Sequence, residues 1–298
     1  MRPPGLSALD RLITGVPLGW LVGFLALPML CVAALSLREL APSIPPVANL
    51  VTHSDGHWQL HSTLRAFGLV FADPLYRSAF LNAVGNATCT AVGCLLVGFP
   101  IALAIVRSPQ KRRGLYVFLA ILPFWTSFLL RAYAWMGLLR DSGPVNSMLL
   151  SLGLIHRPIA VLFTPLAVLI VMIYSYLPFF VLPMYAVLEK LPKDLLAAAA
   201  DLGGRPWYIF RTVTLPLSLP GILSGVVLVF VPAVGEYVIP ELVGNSDTIM
   251  IGGILWDEFY RNRDWPVAAA IAILTFAALL VPIALLGRRI NPLGAELR

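Results

Sequence analysis

Charge is what this sequence has least of. Asp, Glu, Lys and Arg make up 12% of its 298 residues, against 59% hydrophobic. A soluble globular chain carries about 25% charged residues. The composition excludes an ordinary soluble domain and places the chain among membrane proteins. Lysine is nearly missing: only Lys111, Lys190 and Lys193 occur, preceded by Gln110, Glu189 and Pro192. The phosphate-binding pattern G-x-x-x-x-G-K-[ST], whose lysine reaches the terminal phosphates, is therefore lacking. This chain is not expected to be an enzyme or to hydrolyse ATP by that route. No series of Asp, Glu or His runs through several apolar stretches, as proton-coupled carriers often show. Uphill transport would then draw its energy from another subunit. The cysteines, Cys31, Cys89 and Cys94, are odd in number and lie in apolar runs. They read as small core residues rather than a disulfide framework. The alternating segments of about 10 residues that mark a membrane barrel are absent too.

What is there is long apolar runs, at about 15–37, 79–106, 115–139, 159–188, 217–243 and 266–287. Each is long enough for a helix across roughly 30 Å of hydrocarbon, which takes about 20 residues. The fold class expected is an all-α integral membrane protein with six transmembrane helices. The first run is too long for a signal-peptide core and is expected to be a retained span. An even number of spans puts both termini on one side. Lys and Arg choose that side, since they collect on cytoplasmic loops. Arg2, Arg11, Arg107, Lys111, Arg112, Arg113, Lys190, Lys193, Arg205, Arg211, Arg288, Arg289 and Arg298 share it, which is 13 of the 21. Both termini are thus expected to be cytoplasmic. The outer loops, with Asp257, Glu258 and Glu241 among their acids, come to a net −2, and the inner ones to +8. A mildly acidic outer mouth suits a cationic solute, and ordinary solvated loop charge has the same appearance. Proline and glycine within the runs (Pro123, Pro178, Pro183, Pro232, Gly235 and Pro240) suit helices that line a path more than a simple anchor.

The inner loop after Glu189 reads LLAAAADLGGRPWYIFRTVTLPLSLPGI over residues 195–222. Asp194 can cap a short helix, and Leu195, Leu196, Ala199 and Leu202 give it an apolar face. Gly203 and Gly204 stop it, and Pro206 starts a second one. The product is a helix–turn–helix elbow carrying Arg205, Trp207, Tyr208, Phe210 and Arg211. On these residues alone it is either a protein interface or an amphipathic elbow on the bilayer surface.

This stretch resembles the cytoplasmic "EAA" loop of the permeases of type I ABC importers, whose pattern runs roughly EAAxDLGAxxxxxFxxVxLPLxxPGI. Ala198, Ala199, Asp201, Leu202, Gly203, Phe210, Val213, Leu215, Pro216, Leu217, Pro220, Gly221 and Ile222 stand at matching positions. Ala197 replaces the motif glutamate, so one carboxylate contact of the family is missing here. Within the family the chain is most similar to the putrescine and polyamine permeases, through ILPFWTSFLLRAYAWMGLL (121–139), VFVPAVGEYVIPELVG (229–244), IMIGGILWDEFYRNRDWPVAAA (249–270) and FADPLYRSAFLNA (71–83). The resemblance implies the type I importer permease fold, with spans 2–6 as the core over 79–288. Residues 1–78 would carry the N-terminal tail, the first span and a periplasmic loop, and 289–298 a cytoplasmic tail. It implies that the loop 189–216 couples to an ATPase through Ala198, Ala199, Asp201, Leu202, Gly203, Gly204, Arg205, Trp207 and Phe210. The implied partners are a second homologous permease, two ATPase subunits that hold the ATP and Mg, and a periplasmic polyamine-binding protein. The location implied is the bacterial inner membrane, in contact with lipid. Nothing points to nucleic acid, and no cofactor is expected in this chain.

A polyamine path needs carboxylates and aromatic faces. Glu236 sits between Pro232 and Pro240 in an apolar run, where an unpaired carboxylate is expensive. Two compatible roles stand open for it: facing the path, or pairing with Arg131, the other intramembrane charge. Tyr237 and Glu241 share its segment. Asp257 and Glu258, beside Trp256, Phe259 and Tyr260, are expected near the outer mouth, and Tyr133 and Trp135 are candidate wall aromatics. His53, His57 and His61 recur every four residues, which on a helix would suggest a metal site. Asp55-Gly56 favours a turn instead, so no metal is assigned. Besides polyamine import, two alternatives stand: a permease for another small solute, which would not need Glu236, and a membrane scaffold that passes nothing.

Overall fold

In the computed structural model, residues 8–54 and 57–295 are described. In chain order the elements are α1 (Ala8–Ser36), a hairpin of β1 (Val51–Ser54) and β2 (His57–Leu60), α2 (Arg65–Ala72) and α3 (Pro74–Arg107). Then come α4 (Gln110–Ile121), a 3-10 turn (Leu122–Trp125), α5 (Phe128–Leu139), α6 (Pro144–Ser151) and α7 (Pro165–Glu189). The chain continues through α8 (Lys193–Asp201), α9 (Pro206–Ile209), a π turn (Phe210–Thr214), α10 (Leu215–Val234) and α11 (Val238–Val243). Last come α12 (Ile251–Trp256), a second π turn (Asp257–Arg261) and α13 (Trp265–Ala295).

Apart from the hairpin, the regular elements among the described residues are helical. His53 and His57 lie on the two strands of this antiparallel hairpin, opposite Trp58 and Ser54, and His61 directly follows β2, so the three share no helix face. Among the described residues, four helical segments are long and apolar enough to cross a membrane: Ile13–Ser36, Pro74–Arg107, Pro165–Glu189 and Pro206–Val234. The stretch expected to form a single span over 115–139 is bent instead. The segments Gln110–Trp125 and Phe128–Ser151 meet at 91°, and counting the pair as one span makes five. The cause is local. Pro123 lies inside the 3-10 turn, and Thr126 and Ser127 take extended conformations (ψ 151° and 137°). Proline cannot donate to an i−4 carbonyl, so the helix opens there. The apolar helix Trp265–Leu280 is shorter.

By contacts the chain forms two compact units. One runs up to Arg77 and again from Leu255 onward, and in it α13 packs on α1 and α2. Large side chains along α1, from Ile13 to Leu30, are exposed, as suits a surface that meets lipid.

The other unit runs from Ser78 to Ile254. Its centre is α7 against α10, with α3 alongside. The buried face of α3 is mostly a stripe of small residues, Ala79, Ala83, Ala87, Thr90, Ala91, Cys94, Gly98 and Ala102, with Phe99 and Ile105 buried toward its end. Such a stripe lets helices approach closely where water supplies no hydrophobic drive. Phe180 of α7, fully buried, fills the space. A Cβ on Gly98 of α3 or on Gly225 of α10 would come within 2.7 Å of its ring. Both helices therefore offer a notch to one aromatic wedge. At one end of the unit Arg113 of α4 pairs with Glu189 of α7 at 3.5 Å, and Tyr185 donates to Glu189 at 2.6 Å.

Candidate functional site: an exposed elbow and a broken helix

The elbow forms as its sequence dictates, with one difference. Its first helix starts at Lys193 behind Pro192, with no side-chain cap, so Asp194 lies in the first turn rather than at the cap. An acid there still suits the positive end of the helix. At the other end, Gly203 N–H donates to Ala200 O at 2.9 Å and Gly204 N–H to Ala199 O at 3.0 Å. This double closure is the Schellman motif, and it requires a left-handed residue at its first position. Gly203 supplies it at φ +80°. At Gly204 the demand is room, since a Cβ would stand 2.6 Å from Ala199 O. Pro206 opens α9 at its first turn.

Among the described residues, none covers the apolar face of the elbow. Leu202 is 90% exposed and Trp207 71%, with Leu195 and Tyr208 also open. Ala198, Asp201, Gly203 and Arg205 are exposed beside them, and Ala199 and Gly204 are half-buried. Apolar surface of this kind marks a contact site. A line of rings leads inward from it. Trp207 stacks on Phe210 with centroids 5.3 Å apart, and Phe210 meets Phe99 of α3 edge-on at 5.6 Å. Phe99 is buried. The motif's phenylalanine thus joins the elbow to the helical core.

The second feature is the break between α10 and α11. Gly235, Glu236 and Tyr237 leave the helix, and α11 restarts at Val238. A new helix start carries unpaired N–H groups, which cost free energy away from water. Glu236 meets that demand. Its Oε1 accepts from the N–H groups of Tyr237 (3.1 Å), Val238 (2.9 Å) and Ile239 (3.3 Å). Its Oε2 accepts from the Tyr176 hydroxyl of α7 at 2.6 Å. The side chain is buried. Gly252 of α12 packs against this break, so close that a Cβ would lie 3.0 Å from Glu236 O.

Of the two roles open to Glu236, the pairing with Arg131 is not among the contacts seen, though both residues are described. Glu236 has its oxygens taken by four donors. Arg131 instead lies over the rings of Phe124 and Phe128, its guanidinium carbon 5.2 and 5.6 Å from their centroids. Sequence reasoning missed the capping role because it weighed only the charge of Glu236. Gly235 marked a weak point in the run, but the restart at Val238 appears only in the fold.

The other candidates are placed separately. Trp135 meets Tyr174 of α7 edge-on at 5.2 Å, while Tyr133 is exposed. Glu241 is exposed and Tyr237 half-buried. Asp257 and Glu258 fall in the unit with α1 and α13. Asp257 pairs with Arg261 at 3.1 Å, and Glu258 accepts from the Tyr76 hydroxyl at 2.9 Å. Around them Trp256, Tyr260, Phe259 and Trp265 form a run of ring contacts at 4.1, 4.9 and 5.0 Å.

A bundle of long apolar helices, one of them broken and capped from within, with an exposed glycine-closed elbow between two spans, defines a class: the membrane-embedded permeases of binding-protein-dependent transport. The chain belongs to the family described as binding-protein-dependent transport system inner membrane component, whose model matches residues 95–292. Its similarity then narrows. It is 38% identical to the spermidine/putrescine transport system permease protein PotB of Salmonella typhimurium strain SL1344, over 90% of this chain and 88% of that protein. The protein of the same name from Escherichia coli K12 is also 38% identical, over 86% of this chain and 88% of its own. A solved bacterial alginate ABC transporter, in complex with a periplasmic protein bound to an alginate pentasaccharide, shares the fold. Its matching chain aligns with a TM-score of 0.65 at 20% identity, covering 94% of this chain and 95% of that one.

Proposed function

We propose that this chain is a transmembrane permease subunit of an ATP-driven polyamine importer, with putrescine as the first substrate to test. The observation that carries this reading is its 38% identity, over nearly the whole of both chains, to spermidine/putrescine permeases from two organisms. The chain would form half of the translocation path. The other half comes from a second homologous permease. Two separate ATPase subunits, which hold the ATP and Mg, drive the pair, and a periplasmic polyamine-binding protein delivers the substrate.

The elbow is the coupling element in this reading. Its open face, with Leu202 and Trp207 foremost, suits a groove in the ATPase. Its Phe210 contact with Phe99 gives a direct route from that groove to α3. The elbow and both termini then lie in the cytoplasm, six spans cross the bacterial inner membrane, and α13 supplies the sixth. Tyr237, Glu241, Tyr133 and Trp135 are candidates for the path, with Asp257 and Glu258 toward the outer mouth. The role of Glu236 is to hold the broken segment in shape beside that path.

The test is uptake of labelled putrescine into cells lacking their own polyamine importers, expressing this chain together with its partner subunits. Uptake that requires this chain, and that spermidine but not amino acids blocks, supports the proposal. An intact membrane complex that takes up no putrescine removes the polyamine assignment.

A further inference from the structure

Arg131 lies in the first turn of α5, just past the bend of the α4–α5 segment, and among the described residues it lacks the hydrogen-bond partners such a residue normally has. Its Nε and Nη1 are buried and have no hydrogen-bond partner. Arginine cannot shed its proton to escape the cost of burial. What this chain offers the cation instead is two ring faces, those of Phe124 and Phe128. Ring faces attract cations through the ring quadrupole. The acid nearest in chemistry, Glu236, is occupied by three backbone N–H groups and Tyr176.

A row of rings joins the two charges. The Tyr176 ring lies 6.1 Å from Phe179, and Phe179 meets Phe124 edge-on at 4.9 Å. Phe124 and Phe179 are each 36% exposed, so part of this row is open to a ligand.

We propose that the Phe124 and Phe128 faces are a binding site for an alkylammonium group, and that Arg131 fills it as a tethered substitute when no substrate is present. The inference rests on the polyamine reading and adds the site. A guanidinium and a primary ammonium are drawn to ring faces by the same interaction. A site without a carboxylate binds an ammonium weakly, which a transport path requires, since the ion must also leave. Two cations cannot share one face at close range, because the repulsion is strong where water is scarce. An arriving ammonium therefore displaces Arg131, and a departing one lets it return. Phe179 and Tyr176 extend the row toward Glu236.

The test uses the purified whole transporter without its binding protein. Its melting temperature is followed as putrescine is added at constant ionic strength, with the neutral diol of the same length as control. The readout is the concentration of putrescine giving half the maximal shift. The wild type is expected to show a saturable shift with putrescine and none with the diol. Phe124→Leu keeps apolar bulk but loses the ring, and should raise the half-saturating concentration about three- to tenfold. Phe124→Tyr should restore it. Arg131→Gln should lower it about threefold, because the resident cation is gone. If Arg131→Gln does not assemble, the two Phe124 variants decide. No saturable shift in the wild type, or Phe124→Leu titrating like the wild type, overturns the site. Uptake in whole cells keeps the two claims apart. A complex that imports putrescine while Phe124→Leu titrates normally loses the ammonium site and keeps the importer. A complex that imports none loses the importer.

Discussion

Removing the side chain of Glu236 should cost stability before it costs anything else. Its carboxylate accepts four hydrogen bonds, three from backbone N–H groups and one from Tyr176. Glu236→Ala deletes all four acceptor contacts and leaves the N–H groups in a buried place. Measured hydrogen bonds inside membranes average about 0.6 kcal/mol, so four of them set a floor of about 2 kcal/mol. Bonds to charged groups in proteins run higher, at about 1.5–3 kcal/mol each, and unpaired buried donors add their own cost. A network does not add linearly, so a loss of about 3–5 kcal/mol is expected. At roughly 2–4 °C per kcal/mol for a domain of a few hundred residues, the melting temperature falls by about 10 °C. Glu236→Gln keeps one carbonyl oxygen for the α11 amides and lets the Tyr176 hydroxyl turn to accept from its NH2 group. It should lose only about 1 kcal/mol. The assay is thermal unfolding of the purified complex, with the amount of assembled complex recorded beside it. The expected order is wild type, Gln, then Ala. If Glu236→Ala melts with the wild type while uptake is lost, Glu236 serves the substrate rather than the helix break, and the argument fails.

Three further predictions concern other parts of the molecule. Gly203→Asp forces a residue with a Cβ to φ +80°, at a cost of about 1–2 kcal/mol; it should lower putrescine uptake while ATP hydrolysis continues, and full uptake by a well-expressed variant would refute this. Trp207→Ala removes the most exposed ring of the elbow and should reduce ATPase recovered on affinity purification at least tenfold, as expected for a central aromatic anchor; unchanged recovery would count against the elbow as the docking face. Gly225→Val drives two methyl groups into the Phe180 ring and should destabilise the complex by about 1–3 kcal/mol or more, read as a lower melting temperature, whereas Phe180→Leu in the same chain should recover part of the loss.

The sequence announced its helices well, because apolar length is a strong signal. It gave the glycine stop and proline restart of the elbow, because those residues have few conformations to choose among. It hid the bend at Leu122–Ser127. Pro123 was visible, yet a proline in an apolar run is compatible with a tolerated kink as well as with a 91° turn, and tertiary packing decides. Glu236 shows the deeper difficulty. Burial cost identified it as special, but charge alone could not separate a partner cation from backbone amides. Only the course of the chain at Gly235–Tyr237 shows which donors arrive.

The Phe180 wedge bears on where this protein can move. One ring sits in notches cut into two different helices, so α3, α7 and α10 are keyed together like parts sharing a single pin. Sliding α7 would mean withdrawing the ring from both notches at once, and sliding α3 or α10 from one of them, and close-packed interiors do not deform by small degrees. The bend at Leu122–Ser127 and the closed turn of the elbow have no such key, while the gap at Gly235–Tyr237 is held by Glu236 and packed by Gly252. In or beside these three places stand the residues with the least ordinary surroundings, Arg131 against its rings, Glu236 under its amides and Gly203 in its left-handed turn. The block supplies the stiffness, and the chemistry stands at its margins.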